Sequence, residues 1–244
     1  MTIIYEPAGR AKEYCELAAN LYRGCDHKCV YCYAPLATRS NKERFHLDPQ
    51  PRIGVIDKLK KDASKIGGAE KRPVMLSFTS DPYQHLDAQE QLTRQAIKAL
   101  KANLLKVVIL TKGGTRAERD FDLLDGRDFV GATLTFISNK DSLEWEPGAA
   151  LPHERMQMLM RAKERGIQTW ASLEPVIDPE QSLEIIRQTH PFVDLYKVGT
   201  LNHHSRAKEI DWAKFARDVV KLLQELNCKY YIKDDLRKYL TKTA

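Results

Sequence analysis

The chain has 244 residues and carries 39 Lys and Arg against 33 Asp and Glu, a net charge of +6. No stretch approaches the ~20 apolar residues that span a bilayer, and Met1 to Ala11, with Glu6 and Arg10, lacks a signal-type apolar core. A cytoplasmic protein without membrane contact is therefore expected. Its five cysteines are an odd number, and in a reducing compartment they read as metal ligands or buried thiols rather than disulfides.

In chain order, a first strand is expected near Cys15–Tyr22, followed by a loop with three cysteines in eight residues, Cys25, Cys29 and Cys32. Further apolar, strand-like runs follow at 74–78, 106–110, 129–136, 168–173, 195–198 and 229–232. Helical periodicity fills the gaps. Residues 92–102 carry Ala96, Ile97, Ala99 and Leu100 on one face. Residues 155–165 carry Met156, Leu159, Met160 and Ala162, and residues 212–226 carry Phe215, Val219, Leu222, Leu223 and Leu226. Gly166 reads as a helix stop, and Asp178-Pro179 as an N-cap followed by a first-turn proline.

Strands alternating with helical crossovers predict a parallel α/β sheet. Six or seven units are too few for a closed eight-fold barrel. The expectation is a partial (β/α)6-type TIM barrel, with a doubly wound sheet as the alternative. One domain over 1–244 is the simplest division, with its core at about 15–233 and a short basic helix at the C-terminus. Lysines at 58–61, at 101 and 106 and from 233 to 242 would help a polyanion to dock, but acids are interspersed and solvated helix faces account for them as well.

The stretch Tyr22-Arg-Gly-Cys25-Asp-His-Lys-Cys29-Val-Tyr-Cys32-Tyr33 brings three thiolates into one loop. Thiolates suit zinc or iron–sulfur clusters. A closed zinc site needs a fourth protein ligand, for which His27 and His46 are the nearby candidates. A [4Fe–4S] cluster held by three cysteines has one iron open to another ligand.

A Cx3Cx2C loop after the first strand of a partial α/β barrel resembles the radical S-adenosylmethionine (SAM) superfamily. Together with Thr79-Ser80-Asp81-Pro-Tyr83, Leu92-Thr-Arg94, Thr111-Lys112, Arg119-Asp120 and Glu174-Pro175, it resembles the spore-photoproduct-lyase-related branch, from about Leu17 to about Lys233. The resemblance implies an enzyme with a [4Fe–4S] cluster on Cys25, Cys29 and Cys32, whose open iron is chelated by the amine and carboxylate of SAM. One electron from an external reductant breaks a C–S bond, and the resulting 5′-deoxyadenosyl radical abstracts hydrogen from a substrate. It also implies SAM contacts: Ser80 at the amine, Lys112 at the carboxylate, Thr135 near the ribose and Tyr31 near the adenine. Glu174 is a candidate acceptor for SAM or substrate.

Polar residues recur at the predicted strand ends, including Ser138-Asn139 and Asn202-His203-His204, as at any strand-to-loop transition. Cys15 and Cys228 are expected to be small buried residues, and Trp145, Trp170 and Trp212 packing residues. In spore photoproduct lyase a cysteine directly precedes the Thr-Ser-Asp segment, whereas this chain has Phe78. A nucleic-acid substrate and a non-catalytic zinc or cluster module stand as the alternatives.

Overall fold

The computed structural model describes residues 2–202 and 204–241. His203 lies outside the described residues. A 3-10 turn at Gly9–Glu13 leads into β1 (Leu17–Ala19) and β2 (Tyr22–Arg23). The cysteine loop then runs into α1 (Ala34–Ala37), α2 (Lys42–Leu47), β3 (Gln50–Pro51) and α3 (Val55–Ile66). The next elements are β4 (Val74–Leu76), α4 (His85–Glu90), α5 (Leu92–Lys101), β5 (Val107–Thr111) and a 3-10 segment at Gly114–Leu123. They are followed by β6 (Phe129–Thr133), α6 (Asn139–Trp145), α7 (Pro152–Glu164), β7 (Gln168–Leu173) and α8 (Pro179–Thr189). The chain closes with β8 (Leu195–Val198), α9 (Trp212–Glu225), β9 (Tyr230–Ile232) and α10 (Asp234–Arg237).

One sheet of seven strands has the order β1-β4-β5-β6-β7-β8-β9, and β2 and β3 form a separate ribbon. Every pairing in the large sheet is parallel. Sequential parallel neighbours joined by helices are the open-barrel arrangement expected from the alternation, with one strand more than its six-fold name. β1 and β9 are its two edges. The strands are buried on both faces, which explains their continuous apolar runs. Leu17, Val74, Ile109, Val130 and Ala171 pack in the main core with the helices, and Ala18, Met75, Val108 and Trp170 form a second cluster.

Several local readings hold. The Asp178 side chain accepts from the backbone N–H groups of Glu180 and Gln181 at 3.0 and 3.2 Å, so the helix begins at Pro179. Gly166, at φ +75°, ends α7. Others need correction. In α7 the buried positions include Arg155, Met158 and Leu159, whereas Met160 is 40% exposed. Apolar periodicity puts a methionine inward, but a buried carboxylate takes the guanidinium there instead. The predicted first strand divides into β1 and β2, and Cys15 lies before it, buried, with its thiol on the Pro73 carbonyl. Cys228 is only partly buried. The C-terminal helix α10 opens with Asp234 and Asp235, so it is not simply basic. Lys58, Lys60 and Lys61 lie on the exposed face of α3 while Leu59 and Ala63 face inward, a solvated helix face. No helix among the described residues is long and apolar enough to cross a membrane.

The N-terminal segment spans the open seam of the sheet. Tyr5 pairs with Ala18 on β1. Arg10 meets Asp235 at 2.7 Å, and the Lys197 ammonium donates to the carbonyls of Glu13 and Tyr14 at 2.7 and 2.8 Å.

Candidate active site

The cysteine loop leaves β2 and returns toward α1, and it is pinned from three sides. Its first anchor is the entry to α4. The Asp26 N–H donates to Gln84 Oε1 at 3.0 Å, and Gln84 Nε2 donates back to the Gly24 carbonyl at 3.4 Å. The Asp26 carboxylate accepts from the N–H groups of His85 and Leu86, at 3.2 and 3.1 Å. These bonds hold the residues on either side of Cys25. Gly24 sits at φ +84°, and a Cβ there would strike the Phe45 carbonyl and Pro49.

The second anchor is the segment after α6. Val30 N–H donates to the Trp145 carbonyl and Gly148 N–H to the His27 carbonyl, both at 2.9 Å. A side chain on Gly148 would collide with the backbone of Asp26 and His27. The third anchor is α2: Cys25 N–H donates to the Phe45 carbonyl at 3.0 Å, and His46 Nδ1 lies 2.9 Å from the Cys25 carbonyl. Cys25 and Cys29 are buried and Cys32 is intermediate. Burial pushes the Cys29 thiol up to about 12, and Cys25 also rises well above its ordinary value. Such thiols become thiolates when a bound metal displaces their protons.

The ends of β4 and β5 face this loop. The Asp81 carboxylate accepts from Thr111 Oγ1 (2.6 Å), Lys112 N–H (2.6 Å) and Tyr83 N–H (2.8 Å). His27, inside the loop, puts Nδ1 3.5 Å from Asp81, while Arg116 donates to its Nε2 at 3.0 Å. Burial lowers His27 to about 4, so at neutral pH it is an uncharged imidazole with its proton on Nδ1. Both ring nitrogens of His27 are thereby engaged, whereas His46 is engaged only at Nδ1 and its Nε2 is buried without a hydrogen-bond partner. Among the described residues, no group of three His, Cys, Asp or Glu side chains is arranged to hold a single metal ion. Ser80 Oγ, beside Asp81, is buried and has no hydrogen-bond partner. A buried hydroxyl without a partner is costly and suits a bound ligand. The Lys112 ammonium lies 5.5 Å from the Tyr31 ring centroid. Burial disfavours its charge, but Cys29 and Glu146 more than offset that, and its pKa rises above the ordinary lysine value.

Tyr31 and Thr135 share one carboxylate. The Tyr31 hydroxyl donates to Glu146, Thr135 Oγ1 donates to the same oxygen at 3.1 Å, and the two hydroxyls are 3.3 Å apart. Glu146 is ion-paired with Arg155 at 2.6 Å, both side chains being essentially inaccessible. Arg155 also donates to the carbonyls of Ala150 and Thr133, at 2.8 and 3.0 Å. A buried ion pair satisfied on both sides in this way can hold its neighbours in one arrangement.

Glu174 lies at the end of β7, where Tyr14 and Lys233 both donate to its carboxylate. Lys233 is buried and stacks 4.0 Å above the Tyr14 ring. This group belongs to the seam side of the barrel. Ser138 caps α6, accepting from Asp141 N–H, and Asn202 donates to Asp235, so these strand-end residues serve local structure. His204 packs against Trp145 with the rings tilted by 57° and their centroids 5.1 Å apart. Trp170 Nε1 donates to the Ile109 carbonyl at 3.0 Å, and Trp212 packs against Phe215. At Phe78 the backbone carbonyl accepts from the Tyr33 hydroxyl at 2.8 Å.

Sequence reasoning missed Gln84, Asp26, Arg116, Glu146 and Arg155. The only available signal was that these are polar residues near the loop or inside apolar helices, and a single sequence does not show which of them are buried.

The fold is an open parallel α/β barrel that carries three thiols in the loop beyond its first strand. The radical SAM superfamily model matches residues 19–193, and the chain belongs to that superfamily and is an enzyme. The family implies SAM and an iron–sulfur cluster as cofactors. An uncharacterized protein of Methanocaldococcus jannaschii is 27% identical over 187 residues, covering 75% of this chain and 69% of its own length. An uncharacterized protein of Mycobacterium bovis is 27% identical over 170 residues, and that match covers 65% of this chain and 48% of the relative, so the chain spans about half the length of this relative. Among solved structures, a spore photoproduct lyase variant with bound AdoMet and dinucleoside spore photoproduct superposes with a TM-score of 0.70 at 15% identity, covering 93% of this chain and 78% of that one. Streptococcus suis SuiB bound to S-adenosylmethionine gives 0.68 at 12% identity, covering 93% and 53%. At these identities the likeness is one of fold.

Proposed function

We propose that Cys25, Cys29 and Cys32 hold a [4Fe–4S] cluster with one iron open to SAM, and that the enzyme abstracts hydrogen from an organic substrate. The single observation that carries this reading is the donor set: three thiols in a loop pinned by backbone bonds, beside a buried Ser80 hydroxyl with no partner. Soft sulfur donors fit the cluster. The side-chain-free faces of Gly24 and Gly148 fit the tight loop that presents them. When bound, the cluster supplies the electron that cleaves SAM to a 5′-deoxyadenosyl radical.

The chain's own residues bind and orient. Ser80 Oγ accepts from the SAM amine, and the Lys112 ammonium pairs with its carboxylate as a charge-assisted bond. Thr135 contacts the ribose, and the Tyr31 ring packs near the adenine while its hydroxyl is held by Glu146. Asp81 fixes Lys112 through its backbone N–H, and neutral His27 joins Asp81 to the loop without adding charge. Glu174 gives one carboxylate oxygen to Tyr14 and Lys233 at the seam, and its other oxygen is the candidate acceptor for SAM or substrate. A thiolate-held cluster calls for a reducing compartment, in keeping with the cytoplasm. The reading covers one domain over the whole chain.

The test is anaerobic reconstitution with iron and sulfide, then dithionite and SAM. The expected product is 5′-deoxyadenosine, formed in stoichiometric or catalytic amount. Protein that loads iron yet releases none would sink the reading. A nucleic-acid substrate is the second reading, favoured by the net charge of +6. It requires oligonucleotide binding that weakens steeply with salt.

A further inference from the structure

The cluster reading, on which this inference rests, needs two sets of residues in register: the cysteine loop, and the ends of β4 and β5 that carry Ser80 and Lys112. One side chain outside both sets is joined to each of them. Arg116 lies in the 3-10 segment Gly114–Leu123. That segment closes on the turn before α4 because Gly113 has no side chain; a Cβ there would come within 2.7 Å of the Tyr83 Cβ. Arg116 Nε donates to the Tyr83 carbonyl at 2.9 Å, which fixes the plane of the guanidinium. Its two terminal nitrogens then meet two imidazoles. Nη2 is 3.0 Å from His27 Nε2, and Nη1 is 3.3 Å from His85 Nε2. Each imidazole has a carboxylate behind it. His27 Nδ1 is 3.5 Å from Asp81 Oδ2, and His85 Nδ1 is 3.3 Å from Asp26 Oδ1.

The order of donors leaves one arrangement. A guanidinium only donates, so Nε2 of each ring accepts and the ring proton sits on Nδ1, facing the carboxylate. The opposite tautomer of His27 would set N–H against N–H at Arg116 and a lone pair against the anion at Asp81. The His27 and Asp81 side chains are only 2% and 9% exposed, so water does not relieve either conflict. The two carboxylates lie on different sides of the site. Asp26 belongs to the cysteine loop and accepts from the first N–H groups of α4, while Asp81 accepts from the Lys112 N–H and adjoins Ser80. We propose that Arg116 is a positioning residue. By fixing the His27 tautomer it locks the cysteine loop to Asp81, and through His85 and Asp26 it locks the same loop to α4. The thiols and the SAM contacts Ser80 and Lys112 are thereby held in one register.

The test compares the parent with Arg116→Met, which keeps the bulk and loses the donors, and with Arg116→Lys, which keeps a donor. Imidazole nitrogen NMR of isotope-labelled apoprotein, with His27 assigned from His27→Gln, reads the tautomer without cluster or SAM. The expected spectra place the His27 proton on Nδ1 in the parent and in Arg116→Lys, and on Nε2 in Arg116→Met. Titration of the reconstituted proteins with SAM should show affinity weakened about tenfold in Arg116→Met, the scale of loss when an outer partner that orients a ligand group is removed. Iron content should match the parent's, and Arg116→Lys should recover most of the affinity. In a His27→Gln background the effect of Arg116→Met should shrink to about twofold or less, since the two side chains act as one unit. A parent His27 with its proton on Nε2 would overturn the proposal, even if no variant folds. So would parent-like SAM affinity in Arg116→Met, or iron content that falls in step with affinity, which would make Arg116 a support of the loop's fold alone. Failure of the cluster reading looks different: the parent shows no visible absorption and binds no SAM, while the apoprotein spectra still report the tautomer.

Discussion

Buried charge is arranged differently in two regions of this barrel. Beyond β1, β4, β5 and β6, the charged groups point at the cysteine loop or at residues touching it: Asp81 on His27, Arg116 on His27, Glu146 on Tyr31, and Arg155 behind Glu146. Along β7, β8 and β9, Glu174, Lys233 and Lys197 turn toward Glu13 and Tyr14 of the N-terminal segment. The first set holds a site, and the second holds the seam that an open sheet leaves between its edges. Buried ion pairs by themselves therefore do not mark the chemistry. What distinguishes the first region is a set of soft donors and a buried hydroxyl with no partner.

The comparison is broken most directly at the thiols. Cys29→Ser should abolish iron–sulfur absorption and 5′-deoxyadenosine release, a loss greater than ~100-fold, with the apoprotein still folded by circular dichroism. Glu146→Leu should cost ~3–5 kcal/mol in urea unfolding of the apoprotein, because Arg155 is left as an uncompensated buried cation. Glu146→Leu with Arg155→Met should recover most of that loss. If the single variant is as stable as the parent, the pair is not what holds Tyr31 and Thr135.

Lys112→Met should raise the Kd for SAM about tenfold or more while leaving iron content unchanged, measured by titration of the reconstituted protein. On the seam side, Lys197→Met should change the pH dependence of stability. Burial lowers Lys197 to about 8, against about 10.4 for an unfolded lysine. Between these values the unfolded chain binds more protons, so this group makes stability rise with pH across that window and contributes no slope below it. The parent should gain urea stability relative to Lys197→Met from pH 8 to pH 10. An unchanged difference between the two would show that Lys197 is not desolvated by the N-terminal segment. The smallest effect belongs to the rim: Arg10→Ala removes a bond from a side chain that is 45% exposed and should cost ~1 kcal/mol or less.

Much of the fold was legible because periodicity and spacing are local. β7 and β8 start and end where their apolar runs do, and Asp178-Pro179 begins α8 by a cap that four residues encode. Boundaries slipped where tertiary contacts extend burial beyond the ladder: Leu134, Thr135 and Phe136 are as buried as β6 yet lie outside it. Short helices such as α1, α2 and α4 went unread, since four to six residues hold too little periodicity to be seen.

By itself the sequence determined the order of strands and helices and the clustering of three thiols, since neighbouring residues settle both. Only the tertiary structure decided which polar side chains meet. Tyr31 finds Glu146 from 115 residues away and Asp26 finds Gln84 from 58, while Arg155 is buried in a helix face whose apolar pattern points to Met160. The physical reason is that a charge enters a core only when a partner is already there to receive it. That partner is supplied by the crossovers of a parallel sheet, which no local pattern records.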